Sequence, residues 1–145
     1  MTAARDLIDR GERAFNAHDI DGLMGMYGTD AVFNGPGGME LKGIGPIKEF
    51  TKSWFQGFPD ATIRTDNLIE AGDTIVQEGV FIGTQTGIFP TPMGDIPPTG
   101  KRVEGKFVDV YVIKDGKIVS DRLLFDRLDL MEQLGLAPVP AGAGR

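Results

Sequence analysis

Four long runs rich in β-branched and aromatic residues fill the second half of the chain, and they constrain its fold more than any other feature. They cover residues 61–71, 74–86, 103–114 and 117–126. Runs of this composition are typical of strands. Gly72-Asp73 and Asp115-Gly116 separate neighbouring runs, and Asp-Gly favours a two-residue type I′ turn because both positions tolerate positive φ. The sequence therefore predicts a largely antiparallel sheet.

The first sixty residues carry helical spacing instead. Apolar or small residues recur every three or four positions from Leu7 to Phe15, which predicts an amphipathic first helix. Asp19 is expected to cap a short second helix, because its carboxylate can accept free backbone N–H groups. Pro46 is expected in the first turn of a third helix. Two helices in a hairpin and a third thus precede the sheet.

The remaining segments complete an α+β prediction. A short strand is expected at residues 31–34 and a last helix at 128–134. Residues 87–100 contain four prolines and are expected to form a long irregular loop, which often borders a site. A chain of 145 residues suits a single core. Residues 1–136 are therefore predicted to form one domain, and 137–145, rich in Pro, Ala and Gly, a disordered tail.

Composition excludes several classes of site and partner. The chain has no cysteine and one histidine. This removes disulfides and thiolate zinc sites, and most ways of building a His-based metal site or a Ser-His triad, so no metal is expected. A net charge of −6 without a basic stripe argues against nucleic acid. No apolar run approaches the ~18 residues of a membrane span. The charge fits a small neutral or weakly polar ligand better. Without a signal-peptide pattern, a cytoplasmic location is expected.

The Asp115-Gly116 turn also predicts a register. Counting back from it places Tyr111 opposite Ser120 and Asp109 opposite Arg122. One face of the sheet then carries Phe107, Asp109, Tyr111, Arg122, Leu124 and Asp126. The other face is mostly valine and is the more hydrophobic of the two. Both faces need cover, so we expect the helices on one and a second copy of the protein, in a homodimer, on the other.

Several short motifs follow one another along the chain. They are Asn16-Ala17-His18-Asp19, Trp54-Phe55-x-x-Phe58-Pro59-Asp60, Gly83-Thr84-Gln85-Thr86-Gly87, Pro97-Pro98-Thr99-Gly100-Lys101 and Phe125-Asp126-Arg127-Leu128. In this order, with the helix hairpin and the four strands, the chain resembles the SnoaL-like polyketide cyclases of the NTF2-like superfamily. The resemblance implies an NTF2-like cone, in which a curved, mostly antiparallel sheet wraps around the N-terminal helices and encloses a cavity.

The resemblance also implies an activity and a set of site residues. The activity is intramolecular aldol closure of a polyketide ester, a lyase or isomerase type of reaction that needs no cofactor because the substrate carbonyls delocalise the enolate. Asp126 maps onto the general acid/base, and Asp109 and Arg122 are placed beside it in the cavity. The candidate substrate-binding residues are Tyr27, Phe33, Asn34, Trp54, Gln85, Phe107 and Tyr111.

Two of these residues have a competing structural explanation. Asp126 also occupies the position of a helix N-cap, where accepted N–H bonds lower a carboxyl pKa, whereas burial for proton transfer raises it. Asp109 and Arg122 could form an ordinary cross-strand ion pair. On hydrophobicity alone the valine face would cover the helices, and both charges would face solvent. The resemblance implies the reverse orientation of the sheet.

Three other functions use the same residue types. A limonene-type epoxide hydrolase activates water with two aspartates bridged by an arginine, although Arg122 and Asp126 lie roughly 13 Å apart on an extended strand. A keto-steroid-type isomerase needs a carboxylate base and a phenol, for which Tyr111 is the candidate. A non-catalytic small-molecule-binding module remains the third alternative, because fold alone does not decide function.

Overall fold

Helices and strands are mixed along the chain in the computed structural model, which describes residues 2–137. In chain order they are α1 (Ala3–Asn16), α2 (Ile20–Met24), β1 (Tyr27–Gly35), β2 (Met39–Lys42), α3 (Ile44–Gly57), β3 (Thr62–Ala71), β4 (Thr74–Thr84), β5 (Phe89–Thr91), β6 (Gly94–Ile96), β7 (Arg102–Lys114), β8 (Lys117–Phe125) and α4 (Arg127–Gln133). The predicted α+β class and all four helices are confirmed.

A six-stranded sheet in the order β2-β1-β8-β7-β4-β3 forms one layer of the fold. Its neighbouring strands run antiparallel except β1 and β8, which pair in parallel. The predicted mostly antiparallel sheet is therefore confirmed. Two features were not expected. Strand β2 pairs with a β1 that is longer than predicted, and strands β5 and β6 form a small hairpin inside the loop at residues 87–100.

Capping side chains fix where the N-terminal helices begin. Thr2 Oγ1 accepts a hydrogen bond from the backbone N–H of Arg5 at 3.1 Å, and Asp19 Oδ1 accepts one from that of Gly22 at 3.0 Å. The predicted capping role of Asp19 is confirmed. Between the two helices His18 adopts a positive φ of 55°, and its ring nitrogen Nε2 lies 2.7 Å from the carbonyl oxygen of Ala61. The helix hairpin is thereby tied to the start of β3.

The β7–β8 hairpin begins as predicted and then changes register. Both turn residues, Asp115 and Gly116, have positive φ, as a type I′ turn requires, and Ile113 pairs with Ile118. A β-bulge then shifts the pairing by one residue. Beyond the bulge, the residue that faces Tyr111 is Asp121 and not Ser120. The predicted register is therefore wrong past the bulge, because β8 contains one extra residue there.

An aromatic cluster closes one end of the molecule. Phe58 is fully buried together with Ala61, Val103 and Leu134, and Phe89 from the β5–β6 hairpin packs against it. The Trp54 ring lies within 6.0 Å, centroid to centroid, of the rings of both Phe58 and Phe89. This cluster joins α3, the hairpin and α4 to the sheet.

Two further sequence-based expectations concern the chain as a whole. Within residues 2–137, no helix is long and apolar enough to cross a membrane. The tail predicted at residues 137–145 lies, from residue 138 onward, outside the described residues.

Candidate active site

A cavity of about 170 Å³ lies between the sheet and the helices α1 and α3. Strands β4, β7 and β8 form its floor, and they contribute the polar side chains Gln77, Asp109, Tyr111 and Asp121. Tyr27, from the start of β1, lines the same space. Nearly all other lining residues are apolar or aromatic. The cavity is therefore a hydrophobic pocket with one polar region.

The strand register explains why these polar groups meet. Asp121 on β8 lies opposite Tyr111 on β7, and Asp109 lies opposite Gln77 on β4. Directly opposed residues share a face of a sheet, and so do residues two apart on one strand. Asp109 and Asp121 are therefore diagonal neighbours on the cavity face. We refer to these two residues as the carboxylate pair.

Asp121 is the most deeply buried charged residue of this site, with 1% of its surface exposed. Its Oδ2 accepts a hydrogen bond of 2.7 Å from the Tyr27 hydroxyl. Its Oδ1 is buried and has no hydrogen-bonded N–H or O–H donor within residues 2–137. A buried carboxylate oxygen without a donor is costly. A proton held between the two carboxyl groups would reduce this cost.

Burial and mutual repulsion favour a proton on Asp109 over one on Asp121. Burial raises the pKa of Asp109 well above its ordinary value, and the nearby Asp121 charge and the hydrogen bond to it raise it further. Burial also raises the pKa of Asp121, but hydrogen bonds from Asp109 and Tyr27 oppose that rise. Two carboxyl groups in contact titrate as a unit. At neutral pH we expect one shared proton and one negative charge.

The two phenols beside the pair are hydrogen-bond donors. Burial and the neighbouring aspartates raise the pKa of both Tyr27 and Tyr111 well above the ordinary value, so both keep their protons. The Tyr111 hydroxyl donates to Gln77 Oε1 at 2.8 Å, and Gln77 Nε2 donates to Thr65 Oγ1 at 2.8 Å. This chain of hydrogen bonds runs across three strands. It holds the Tyr111 ring in place beside Asp121.

Within residues 2–137, the salt bridges of the structure do not involve Asp109 or Asp121. Lys106 also borders the cavity, but it is exposed, and its charge helps to lower the pKa of Asp66. Glu12 borders the cavity from α1, and its Oε1 accepts a hydrogen bond from the Thr65 backbone N–H at 2.7 Å. The carboxylate pair thus has no positively charged neighbour within salt-bridge distance in the described part of the chain.

Aromatic rings and glycines shape the rest of the cavity. The rings that line it belong to Phe15, Phe33, Phe50, Trp54, Phe81, Phe107 and Phe125. Gly79 allows the Phe107 ring to lie close against β4, because a Cβ there would come within 2.8 Å of that ring. Gly105 also borders the cavity, and nothing lies within 4 Å of the position its Cβ would take. A side chain at 105 would therefore enter open space.

Six of the predicted site residues line the cavity. They are Tyr27, Phe33, Trp54, Phe107, Asp109 and Tyr111. Arg122 lies elsewhere: it is exposed and pairs with Val110, not with Asp109. The predicted opposition of Asp109 and Arg122 is therefore wrong, because the bulge turns Arg122 to the outer face. Asn34 follows Phe33 on β1 and so points to that outer face as well.

Asp126 lies outside the cavity, at the start of α4. Its Oδ1 accepts a hydrogen bond of 3.0 Å from the backbone N–H of Asp129, which makes it the N-cap of that helix. The side chain is exposed. This geometry corresponds to the helix-capping alternative and does not correspond to a desolvated proton-transfer group.

Gln85 is fully buried but organises the loop at residues 87–100 instead of facing the cavity. Its Nε2 donates to the carbonyl oxygens of Gly87, Ile96 and Pro97. Its Oε1 accepts hydrogen bonds from the backbone N–H and the hydroxyl of Thr99. With both ends of its amide engaged, Gln85 fixes the course of the loop that holds Phe89 against Trp54.

Asp121 is the site residue that the sequence prediction missed. Counting from the turn placed it on the valine face. One signal was present in the sequence: the apolar residues Ile118, Leu123 and Phe125 cannot all share one face of a regular strand, since 118 and 123 differ by an odd number. In the structure all three point inward, with Asp121, which requires the bulge.

One of the alternatives can be compared with this geometry. Within residues 2–137, no arginine lines the cavity between the two aspartates, as an epoxide hydrolase would need, because Arg122 faces outward. Within the described part of the chain, no three side chains of the metal-binding types are grouped closely enough to hold a metal ion.

Comparison with known proteins shows one consistent family. A family model described as SnoaL-like polyketide cyclase matches residues 5–134. A candidate SnoaL-like polyketide cyclase from Jannaschia sp. CCS1 superposes with a TM-score of 0.82 at 22% identity, covering 94% of each chain. IdmH, a candidate polyketide cyclase from Streptomyces antibioticus, gives 0.76 at 26% identity, covering 90% of this chain and 97% of that one.

A third solved structure widens the range of related proteins. AclR, a candidate hydroxylase from Streptomyces galilaeus, superposes with a TM-score of 0.81 at 22% identity, covering 94% of this chain and 88% of its own. No curated protein matches the chain in sequence. The family model and the three superposed structures together confirm the cone-shaped fold expected from the resemblance.

Proposed function

Because the chain belongs to the SnoaL-like polyketide cyclase family, we propose that it is a cofactor-independent acid/base enzyme that closes a ring in a hydrophobic, polyketide-like substrate by an intramolecular aldol reaction. One observation carries the proposal. Two buried aspartates, Asp109 and Asp121, lie side by side in a cavity whose other walls are largely aromatic, and burial raises the pKa of Asp109. Such a pair offers a base and an acid at the same place.

In the proposed reaction Asp121, as the carboxylate, removes a proton from a carbon next to a substrate carbonyl. The resulting enolate carbon attacks a second carbonyl of the same molecule, so that a C–C bond forms and the attacked oxygen becomes an alkoxide. Protonated Asp109 donates its proton to that alkoxide, and the proton taken up by Asp121 is then shared again. The pair ends with the single proton with which it began.

Three features of the cavity support the roles proposed for Asp121 as the base and Asp109 as the acid. The Tyr27 hydroxyl, 2.7 Å from Asp121 Oδ2, stabilises negative charge on Asp121. Burial raises the pKa of Asp109, which suits it to the role of the acid. The aromatic walls exclude water, which strengthens electrostatic interactions inside the cavity. Trp54, Phe33 and Phe107 are the proposed substrate-binding surfaces.

Two small ketones test the proposal in separate steps. With 2-tetralone in D₂O, we expect the protein to accelerate exchange of the C1 protons, followed by NMR. With 1,2-diacetylbenzene we expect it to accelerate ring closure to 3-hydroxy-3-methylindan-1-one. Gly105→Leu should suppress both reactions, because Gly105 lines the cavity and an added Cβ there meets nothing within 4 Å, so the new side chain extends into that space. Equal rates with and without the wild-type protein would contradict the proposal.

A keto-steroid-type isomerisation is the second candidate, and one observation favours it. A protonated aspartate beside a phenol can stabilise an enolate oxygen, and Asp109 and Tyr111 are two residues apart on the same face of β7. Conversion of 3-cyclohexenone to its conjugated isomer, without closure of 1,2-diacetylbenzene, would favour this candidate. Binding of the ketones without either reaction would favour a non-catalytic binding module.

We also propose that the protein forms a homodimer through the outer face of the sheet. That face carries Val76, Val108, Val110, Val112, Ile69 and Leu124. Ile69 and Leu124 are about half exposed, at 51% and 58%. Neighbouring apolar side chains in such numbers are typical of an interface between copies.

Leu124→Lys is expected to shift the protein from dimer to monomer, because it places a charge on this face next to Val108. Met93→Lys is the matched control, since Met93 is 93% exposed and lies on the β5–β6 turn. Light scattering coupled to size-exclusion chromatography measures both. A monomeric wild-type protein, or a dimer that survives Leu124→Lys, would contradict the proposed interface.

A further inference from the structure

The charge of the carboxylate pair is unbalanced in the described structure. One shared proton neutralises one of the two carboxylates, which leaves a negative charge in a site with 1% exposure at Asp121. Within residues 2–137, no lysine, arginine or histidine forms a salt bridge with the pair. Buried charges are ordinarily paired. A positively charged ligand would supply the missing partner.

The atoms available to such a ligand are defined. Asp121 Oδ2 is already used by Tyr27, whereas the buried Oδ1 lacks any fixed N–H or O–H donor in the described residues. When Asp109 is protonated, its proton is a second donor to Asp121, beside the Tyr27 hydroxyl. A ligand N⁺–H could donate to Asp121 in place of that proton, which would stay on Asp109. The cation would then offset the one negative charge of the pair.

The walls next to the pair suit the carbon groups of an ammonium ion. Phe33 on β1 is the strand neighbour of Asp121, and Tyr111 lies opposite it on β7. Phe107 is two residues from Asp109 on the same face. Aromatic faces attract cations, and more strongly in a site shielded from water. A cavity of about 170 Å³ is comparable with the ~150 Å³ that accepts a benzene molecule.

From these observations we propose that the cavity binds a small hydrophobic amine as its ammonium ion, with a single N–H donated to Asp121 Oδ1 and the alkyl or aryl groups packed against Phe33, Phe107 and Tyr111. A tertiary amine, with its single N–H, suits this site because Oδ1 of Asp121 is the buried oxygen without a donor in the described residues and most of the remaining lining is apolar. This proposal rests on the cavity and the carboxylate pair, and it does not depend on the acid/base reaction proposed above.

Equilibrium binding of a matched pair of ligands tests the proposal without turnover. N,N-dimethylbenzylamine, protonated at neutral pH, and isobutylbenzene have the same shape and differ in the charged N–H. In NMR titrations at neutral pH we expect the amine to bind about tenfold more tightly, as a cation–π contact together with a charge-assisted hydrogen bond implies. Benzyltrimethylammonium, which lacks the N–H, is expected to bind more weakly than the tertiary amine.

Variants test which residue makes the cavity bind the amine more tightly than isobutylbenzene. Asp121→Asn should abolish the preference for the amine while isobutylbenzene still binds, which shows that the cavity remains folded. Glu12→Gln, which removes the other carboxylate bordering the cavity, should leave the preference intact. Gly105→Leu should weaken both ligands. Asp109→Asn should also lower amine affinity, because its amide is a permanent donor toward Asp121.

The effect of pH has a definite sign. A cation binds the pair more tightly once the pair has lost its proton. Benzyltrimethylammonium keeps its charge at every pH, so its binding should strengthen as pH rises through the titration of the pair. The other ionisable groups bordering the cavity are Tyr27, Tyr111, Glu12 and Lys106, and Asp109→Asn should remove the effect if the pair is its source. Equal affinity for amine and isobutylbenzene, or a preference that survives Asp121→Asn, would overturn the proposal.

Discussion

Asp121→Asn is expected to slow exchange of the 2-tetralone C1 protons by roughly 10²- to 10⁴-fold, the range that one general acid/base group contributes. Asn has nearly the same shape as Asp and can still accept the hydrogen bond from Tyr27, but it cannot take up a proton. The rate should therefore fall while the fold is kept. NMR measures the exchange, and thermal unfolding of the variant confirms that it is folded.

Asp126→Asn is the matched control for this experiment. It makes the same chemical change at an exposed aspartate that caps α4, so we expect the exchange rate to remain at the wild-type level. An amide oxygen also caps helices well, which keeps the fold intact. A reversed result, with loss of exchange in Asp126→Asn and none in Asp121→Asn, would move the chemistry from the cavity floor to the end of β8.

Phe58→Ala is expected to lower the free energy of unfolding by about 3–5 kcal/mol, the usual cost of removing a buried phenylalanine ring. Phe58 has no exposed surface, and its ring contacts the rings of Trp54, Phe81 and Phe89. The strand behind it approaches closely: a Cβ at Gly83 would come within 3.1 Å of Phe58. Because little can move into the space, the cavity left behind should remain open.

Denaturant-induced unfolding of Phe58→Ala and of Met93→Ala provides the comparison. Met93 is 93% exposed, so its truncation should leave stability unchanged. A loss of less than about 1 kcal/mol in Phe58→Ala would mean that the cluster relaxes around the missing ring. In that case the cluster would not be the rigid support for Trp54 that the proposed substrate site requires.

Patterns of hydrophobicity, turn and cap residues were sufficient to predict most of the fold. The Asp19 cap, the Asp115-Gly116 turn and the four long strands depend on local chemistry that a sequence displays directly, and the structure confirms them. The β5–β6 hairpin was missed because its strands have three residues each. They are held by the Gln85 side chain, a long-range contact that no local pattern reveals.

The site was predicted only in part, for a physical reason. Aromatic residues and Asp109 were recognised as candidates because their types suit a ligand cavity. Asp121 and Arg122 exchanged faces, since the face of each depends on a bulge that neither residue encodes by itself. Asp126 was assigned from family resemblance, and its capping hydrogen bond competes directly with that assignment.

The β-bulge in the β7–β8 hairpin decides which residues of β8 face the cavity. If β7 and β8 kept the register of the turn without the bulge, Arg122 would face the cavity in place of Asp121. A guanidinium would then replace the carboxylate on the cavity floor, and a permanent cation would replace the proton carrier. The role of a residue on β8 therefore applies to the aligned residue of a relative only if that relative has the same bulge. Two chains that differ by one residue here could share every motif and present opposite charges to their ligands.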